Sequence, residues 1–284
     1  MTVTEQTIRV PMPGLDRPVT VCQITDSHVS LADERDDDQY NAHARVRDGM
    51  FSNGHPGALE AALLDMIDRA RDADAVVLTG DIIDFPSRAN LDFLSRAFTH
   101  VSPPCLYIFG NHDYRAPWMT DEEAAEARDL FSALPGLHNA PDYAVLDVHG
   151  LRLIGLDDSQ CQVSPEHLSA LTRDLAPGGP SALFVHAPLY APTLYEPDIN
   201  FWRTCGEMGF PAHLFPEQAD KSDLRLAAPA TRDALTLLRA SPGLHAVVAG
   251  HLHFTHDDPL WPGATQYTCA NGAMGFMRRL VFTP

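Results

Sequence analysis

Short runs of β-branched, aromatic and other apolar residues recur along the chain, and each is closed by a polar residue of one of a few kinds. "VTVCQIT" (19–25) ends at Asp26, "AVVLTG" (75–80) at Asp81, and "CLYIFG" (105–110) at Asn111 and His112. "ALFV" (182–185) leads into His186 and "HAVVAG" (245–250) into His251. Runs of this length and makeup predict buried strands. Between them the apolar spacing changes to three and four. Leu59, Ala62, Leu63, Met66, Ile67 and Ala70 form one stripe within 57–72, which predicts an amphipathic helix. Residues 120–134 open with Thr120 and Glu123 in a capping-box pattern, and 164–175 start with Ser164 as N-cap and Pro165 at the first helical position. "YAVLDVHGLRLIGLD" (143–157) reads as a hairpin turning at His149 and Gly150, and "TQYTCA" and "RRLVFT" read as strands on either side of "NGAMGFM".

Strands alternating with helices imply an α/β domain with largely parallel pairing, and the hairpin makes the architecture mixed. In such sheets ligands gather at the carboxyl ends of the strands, where all the polar residues above fall. Residues 1–284 are expected to form one domain. The acidic "DERDDD" (33–38) and the Pro-rich stretch 188–229 read as loops within it. Segment 188–222 is rich in aromatics and reads as a lid or cap beside the site, with a surface flap or dimer contact as the equal alternative.

Composition narrows the function. The five cysteines (22, 105, 161, 205 and 269) are odd in number and form no CxxC pair, which argues against a disulfide framework or a thiolate zinc site. No window approaches the ~18 apolar residues of a membrane span, and the first residues lack a basic, then apolar, leader, so no membrane partner and a cytoplasmic home are expected. The net charge of −18, from 38 acidic and 20 basic side chains, makes nucleic acid an unexpected partner. It leaves room for bound cations.

Collected in order, the strand-end elements are "DSH" (26–28), "GDIID" (80–84), "GNHD" (110–113), "FVH" (184–186) and "GHLH" (250–253). Carboxylates, imidazoles and an amide oxygen together suit zinc, manganese or iron better than calcium or magnesium. Seven candidate ligands, Asp26, His28, Asp81, Asn111, His186, His251 and His253, are too many for one ion with an open position and suit two.

In these motifs the sequence resembles the calcineurin-like metallophosphoesterases, whose DxH, GDxxD, GNH followed by D or E, H and GHxH elements stand here in order over residues 19–254. It is most similar to bacterial enzymes grouped with class III cyclic-nucleotide phosphodiesterases. The longer signatures of the protein Ser/Thr phosphatases are missing: no Arg follows the second Asp of "GDIIDFP".

The resemblance implies a four-layer α/β/β/α sandwich with two mixed β-sheets. It gives one ion to Asp26, His28, Asp81 and His253, and the other to Asp81, Asn111, His186 and His251, with Asp81 shared. On an extended segment His251 and His253 have backbones roughly 6 to 7 Å apart, and ions in two-metal sites sit about 3.5 to 4 Å apart. Each ring can lean to its own ion. The chemistry implied is attack on a small phosphate ester by a hydroxide bridging the metals, with His112 as general acid and Asp84 holding its ring. Asp113 reads as a local structural contact. Arg115, Phe201, Trp202 and Arg203 are the candidates for substrate contact. A nuclease, and a non-catalytic metal-binding protein on the same fold, are the rival readings. Acidity speaks against the first and the complete motif set against the second, while self-association is left open.

Overall fold

A computed structural model describes residues 2–52, 54–202, 207–209 and 227–284. The strands among them fall into two sheets. The first runs β1 (Thr4–Pro11), β11 (Phe276–Thr283), β2 (Val19–Ile24), β3 (Ala75–Leu78) and β4 (Cys105–Tyr107). The second runs β5 (Tyr143–Val148), β6 (Leu151–Leu156), β7 (Ser181–Phe184), β8 (Leu244–Ala249), β10 (Ala264–Thr268) and β9 (His256–Trp261). Both are mixed: β2, β3 and β4 are parallel beside the antiparallel β11–β2 pair, and β6, β7, β8 and β10 are parallel between two antiparallel edges.

Alternation along the strands explains the layering. Val19, Val21, Ala75, Val77, Leu106 and Ile108 of the first sheet share one buried cluster with Leu151, Leu153, Ala182, Phe184, Ala246 and Val248 of the second, so the sheets pack face to face. The alternate residues Cys22, Ile24, Val76, Leu78, Cys105 and Tyr107 turn outward onto α2 (Ala58–Arg69), α3 (Arg88–Phe98) and α4 (Asp121–Ser132). On the far side Leu183, Val185 and Val247 meet α5 (Pro165–Leu175) and α7 (Pro229–Ala240). Strands buried on both faces read as near-continuous apolar runs. This is the expected four-layer α/β/β/α sandwich.

The helix signals behave as their chemistry requires. Thr120 and Glu123 form the reciprocal capping box of α4, and Ser164 caps α5 with Pro165 in its first turn. The 143–157 hairpin turns through His149 (φ 50°) and Gly150 (φ 86°), the pair of positive φ values that matches the twist of the flanking strands.

Two expectations change. The acidic run 33–38 is a loop only up to Asp37, whose side chain caps α1 (Asp38–Phe51), because acids at a helix N-terminus satisfy free N–H groups and favour the dipole. Within 188–229 lies α6 (Tyr195–Trp202), and α7 begins at Pro229. The remainder of the expected cap, 203–206 and 210–222, lies outside the described residues.

Candidate metal centre

The candidate ligands stand in the turns just beyond five parallel strands, at the shared carboxyl end of the two sheets. Asp26 and His28 follow β2, Asp81 follows β3, Asn111 and His112 follow β4, His186 follows β7, and His251 and His253 follow β8. Side chains and backbone lace the sheets together here. Gln23 Nε2 donates to the Ala249 carbonyl (2.9 Å) and to Thr79 Oγ1 (3.0 Å), and the His251 amide donates to Asp26 Oδ2 (2.9 Å).

The ligand positions are not extended, as the spacing of His251 and His253 had led us to expect. Asp26, His28, Asp81, His251 and His253 all hold φ between 44° and 67°, and they are five of the seven non-glycine residues with positive φ among the described residues. A left-handed L-residue costs roughly 1–2 kcal/mol, and such strain persists only where the surroundings over-determine it. The benefit here is convergence: each turn reverses its side chain into a common space.

Two groups of donors result. In one, His253 Nε2 lies 3.0 Å from His28 Nε2 and 3.3 Å from Asp26 Oδ1. In the other, His186 Nε2 lies 3.2 Å from Asp81 Oδ2 and 3.1 Å from His251 Nδ1. Asp81 Oδ2 is also 3.9 Å from His28 Nε2, so this carboxylate stands between the groups, while its Oδ1 accepts from the His112 amide (2.8 Å). The Asn111 Oδ1 is buried and takes no hydrogen bond.

The second nitrogens are fixed from outside. His28 Nδ1 donates to Asp84 Oδ1 (2.7 Å) and His186 Nδ1 to the Thr79 carbonyl (2.8 Å), so in the neutral rings each Nε2 presents a lone pair to the group. Outer partners of this kind fix tautomer and ring orientation at metal sites. Burial pushes His28 below its ordinary value and His251 down to about 3, keeping both rings in the neutral form that a metal requires. At His186 burial acts the same way, but the Asp81 and Asp26 carboxylates outweigh it and raise the ring well above its usual value. The space between His186 and Asp81 thus favours positive charge. Nitrogen and oxygen donors, one buried amide oxygen without a partner and a preference for a cation together fit a pair of borderline metal ions sharing Asp81.

Asp84 differs from expectation. Its carboxylate is fully buried, and its oxygens go to His28 and, at 2.6 Å each, to Nε and Nη2 of Arg47 on α1. Burial would raise this carboxyl, but the His28 and Arg47 hydrogen bonds hold it down at about 2. The His112 ring instead finds the Asp84 backbone carbonyl, with Nδ1 at 3.1 Å, against 3.5 Å to the carboxylate. A carbonyl only accepts, so Nδ1 carries the hydrogen and Nε2 is left for a reacting group. Asp113 serves the backbone, accepting from the amides of Asp81, Ile82 and Gly110 at 2.7 to 3.0 Å.

Of the substrate-contact candidates, Arg115 pairs with Asp121 at the start of α4 (2.8 Å). Phe201 is exposed and packs its ring 5.5 Å from that of Phe254, the residue after His253. The Trp202 side chain and Arg203 lie outside the described residues. Sequence reading missed Arg47, Phe51 and Asp158. Asp158 Oδ1 accepts from the His186 and Ala187 amides (2.8 and 3.1 Å). His43, Arg47 and Phe51 recur every fourth residue, a stripe that a helical reading of 38–51 would have exposed.

A sequence profile for calcineurin-like phosphoesterases matches residues 19–254. A Fibrobacter succinogenes protein described as a "probable cyclic nucleotide phosphodiesterase" is 27% identical over 167 residues, which are 58% of this chain and 56% of that protein, so the chain matches little more than half of its relative's length. Among solved structures, a dimetal phosphatase from Danio rerio superposes with a TM-score of 0.51 at 17% identity, covering 91% of this chain and 89% of that one. Purple acid phosphatase PPD1 from yellow lupin (Lupinus luteus) seeds gives 0.54 at 15% identity, covering 94% of this chain and 46% of that one. These two likenesses speak for the fold.

Proposed function

The chain belongs to the calcineurin-like phosphoesterase family, and from that premise we propose that it hydrolyses a small phosphate ester, diester or monoester, at a two-ion centre. The observation that carries this reading is the pair of donor groups meeting at Asp81 Oδ2. Asp26, His28 and His253 with Asp81 would hold one ion of manganese, iron or zinc. His186, His251 and Asn111 with Asp81 would hold the other. Bound ions at such a centre lower the pKa of water and neutralise phosphoryl charge during in-line displacement.

The chain's own groups do the rest. His112 is 29% exposed, so a substrate can reach it, and with Nδ1–H held on the Asp84 carbonyl the ring, when it enters the reaction as imidazolium, gives its Nε2 proton to the departing oxygen and is left as the neutral Nδ1–H form. Asp113 and Asp158 anchor the amides that carry Asp81 and His186, fixing the ligand turns before substrate arrives. Phe201, whose ring lies against that of Phe254, the residue after His253, would shape which ester group fits.

Metal stripping followed by titration, with hydrolysis of a panel of monoesters, diesters, cyclic nucleotides and long nucleic acids, tests the proposal. Two ions per chain are expected, with hydrolysis of small esters and no cleavage of long DNA or RNA. Asp81→Ala should weaken both ions. Full activity at one ion per chain under saturating metal overturns the two-ion reading.

A further inference from the structure

α1 touches the candidate centre although none of the motif residues lies on it. Only Ala44 of this fourteen-residue helix is buried, and Val46 and Met50 stand 64% and 60% exposed. The helix is therefore not a core element. Tyr40, His43 and Ala44 pack on Phe85, Ala116 and Trp118, while its contacts with the centre are made by one stripe near its carboxyl end. Arg47 grips both oxygens of Asp84 at 2.6 Å. Phe51, one turn on, lies flat on the His28 ring, with centroids 4.7 Å apart and planes 12° apart, and stands edge-on to His253 at 6.2 Å. The Arg47 guanidinium lies 4.8 Å over the Phe51 ring, and His43 Nε2 approaches Asp84 Oδ2 at 3.7 Å.

These contacts fall on one donor group and not on the other. Asp84 is bonded to His28, and Phe51 covers His28 and His253; none of these contacts reaches His186 or His251. Asp84 is fully buried, so its carboxylate depends on its partners, and two of its three close hydrogen bonds come from Arg47. Without them it is free to turn, and the ring it aims loses its orientation.

We propose that Arg47 and Phe51 are positioning residues that set metal affinity at the Asp26–His28–His253 half of the centre alone, Arg47 by locking Asp84 onto His28 and Phe51 by bracing the two imidazoles. The proposal rests on the two-ion reading above. An α1 that hardly enters the core then has a defined role, because it makes one ion's retention depend on the packing of a surface helix.

Metal binding itself provides the test. Metal-free wild-type, Arg47→Ala, Arg47→Lys and Phe51→Leu proteins are titrated calorimetrically with manganese(II), after a melt has verified that each folds. Removing an outer partner of a ligand histidine typically weakens metal binding 10- to 100-fold. Arg47→Ala should weaken one of the two ions by about tenfold or more and leave the other unchanged. Arg47→Lys keeps the charge without the fork and should recover part of the loss, and Phe51→Leu should weaken the same ion more mildly. In a His28→Ala background, adding Arg47→Ala should change nothing further. If Arg47→Ala does not fold, the Phe51→Leu result decides. Two ions bound normally by the variants, or an equal loss at both, overturns this inference alone. Fewer than two ions in the wild-type protein overturns the two-ion reading and this inference with it.

Discussion

Gly250 leaves no space for a side-chain carbon: a Cβ there would sit 2.0 Å from Thr25 Oγ1 and 2.4 Å from Asp26 Oδ2. The glycine before His251 is therefore a condition for placing Asp26. Gly250→Ala should cost about 1–3 kcal/mol of stability by overpacking and weaken the ion held by Asp26, read by denaturant unfolding and by metal titration. Gly110 stands in the same relation to Asp81, with a Cβ 2.2 Å from Oδ1. At His112 the expectation concerns the leaving group. His112→Ala should bind both metals normally and lose roughly 10² to 10⁴ in rate on alkyl esters, with a much smaller loss on esters of acidic phenols, which depart without a proton. Steady-state rates on the two ester types check this. Equal losses would assign His112 to binding the phosphoryl oxygens.

The elements divide by how much tertiary structure their formation needs. The strands before the ligands, the 143–157 hairpin and helices α2, α4 and α5 were legible, because apolar runs, cap residues and turn chemistry are written locally. The seven candidate ligand positions stand out as a motif set, whereas their geometry does not: the left-handed φ at Asp26 goes with partners distant in sequence, its amide on the Gly80 carbonyl and its carbonyl accepting from the Ala273 amide, and leaves no local mark. β1 was missed because its partner β11 is at the other end of the chain. α1 was missed because an acidic run masks a helix with one buried residue, and with it went Arg47, which shares the Asp84 carboxylate with His28. Near α6, the buried Glu207 carries a prediction of its own. Burial, followed by the charge of Asp198, lifts its carboxyl from 4.5 to about 9. It then keeps its proton in the folded chain and loses it in the unfolded one, so its contribution to stability is fully present below pH 4.5 and is lost as pH rises toward 9. Glu207→Gln should melt higher than wild type at pH 8, with the gap closing toward pH 5.

At the scale of the molecule, both sheets are needed to complete either set of donors. His253 comes from the second sheet to join Asp26, His28 and Asp81 of the first, and Asn111 and Asp81 of the first join His186 and His251 of the second. The described cysteines, Cys22, Cys105, Cys161 and Cys269, form no disulfide, so no covalent bridge among them joins the layers. Bound ions would take that part, as reversible cross-links that close when metal is plentiful and open when it is withdrawn. A ligand that binds only the folded state adds about 2.7 kcal/mol at one hundred times its dissociation constant. The melting temperature should therefore climb with free manganese and fall on adding a chelator. Amide hydrogen exchange should quicken first at the carboxyl ends of β2, β3, β7 and β8, while the opposite ends of the same strands stay protected. The chain would then report the metal supply of its surroundings through how tightly its two sheets are clasped, before any ester is bound.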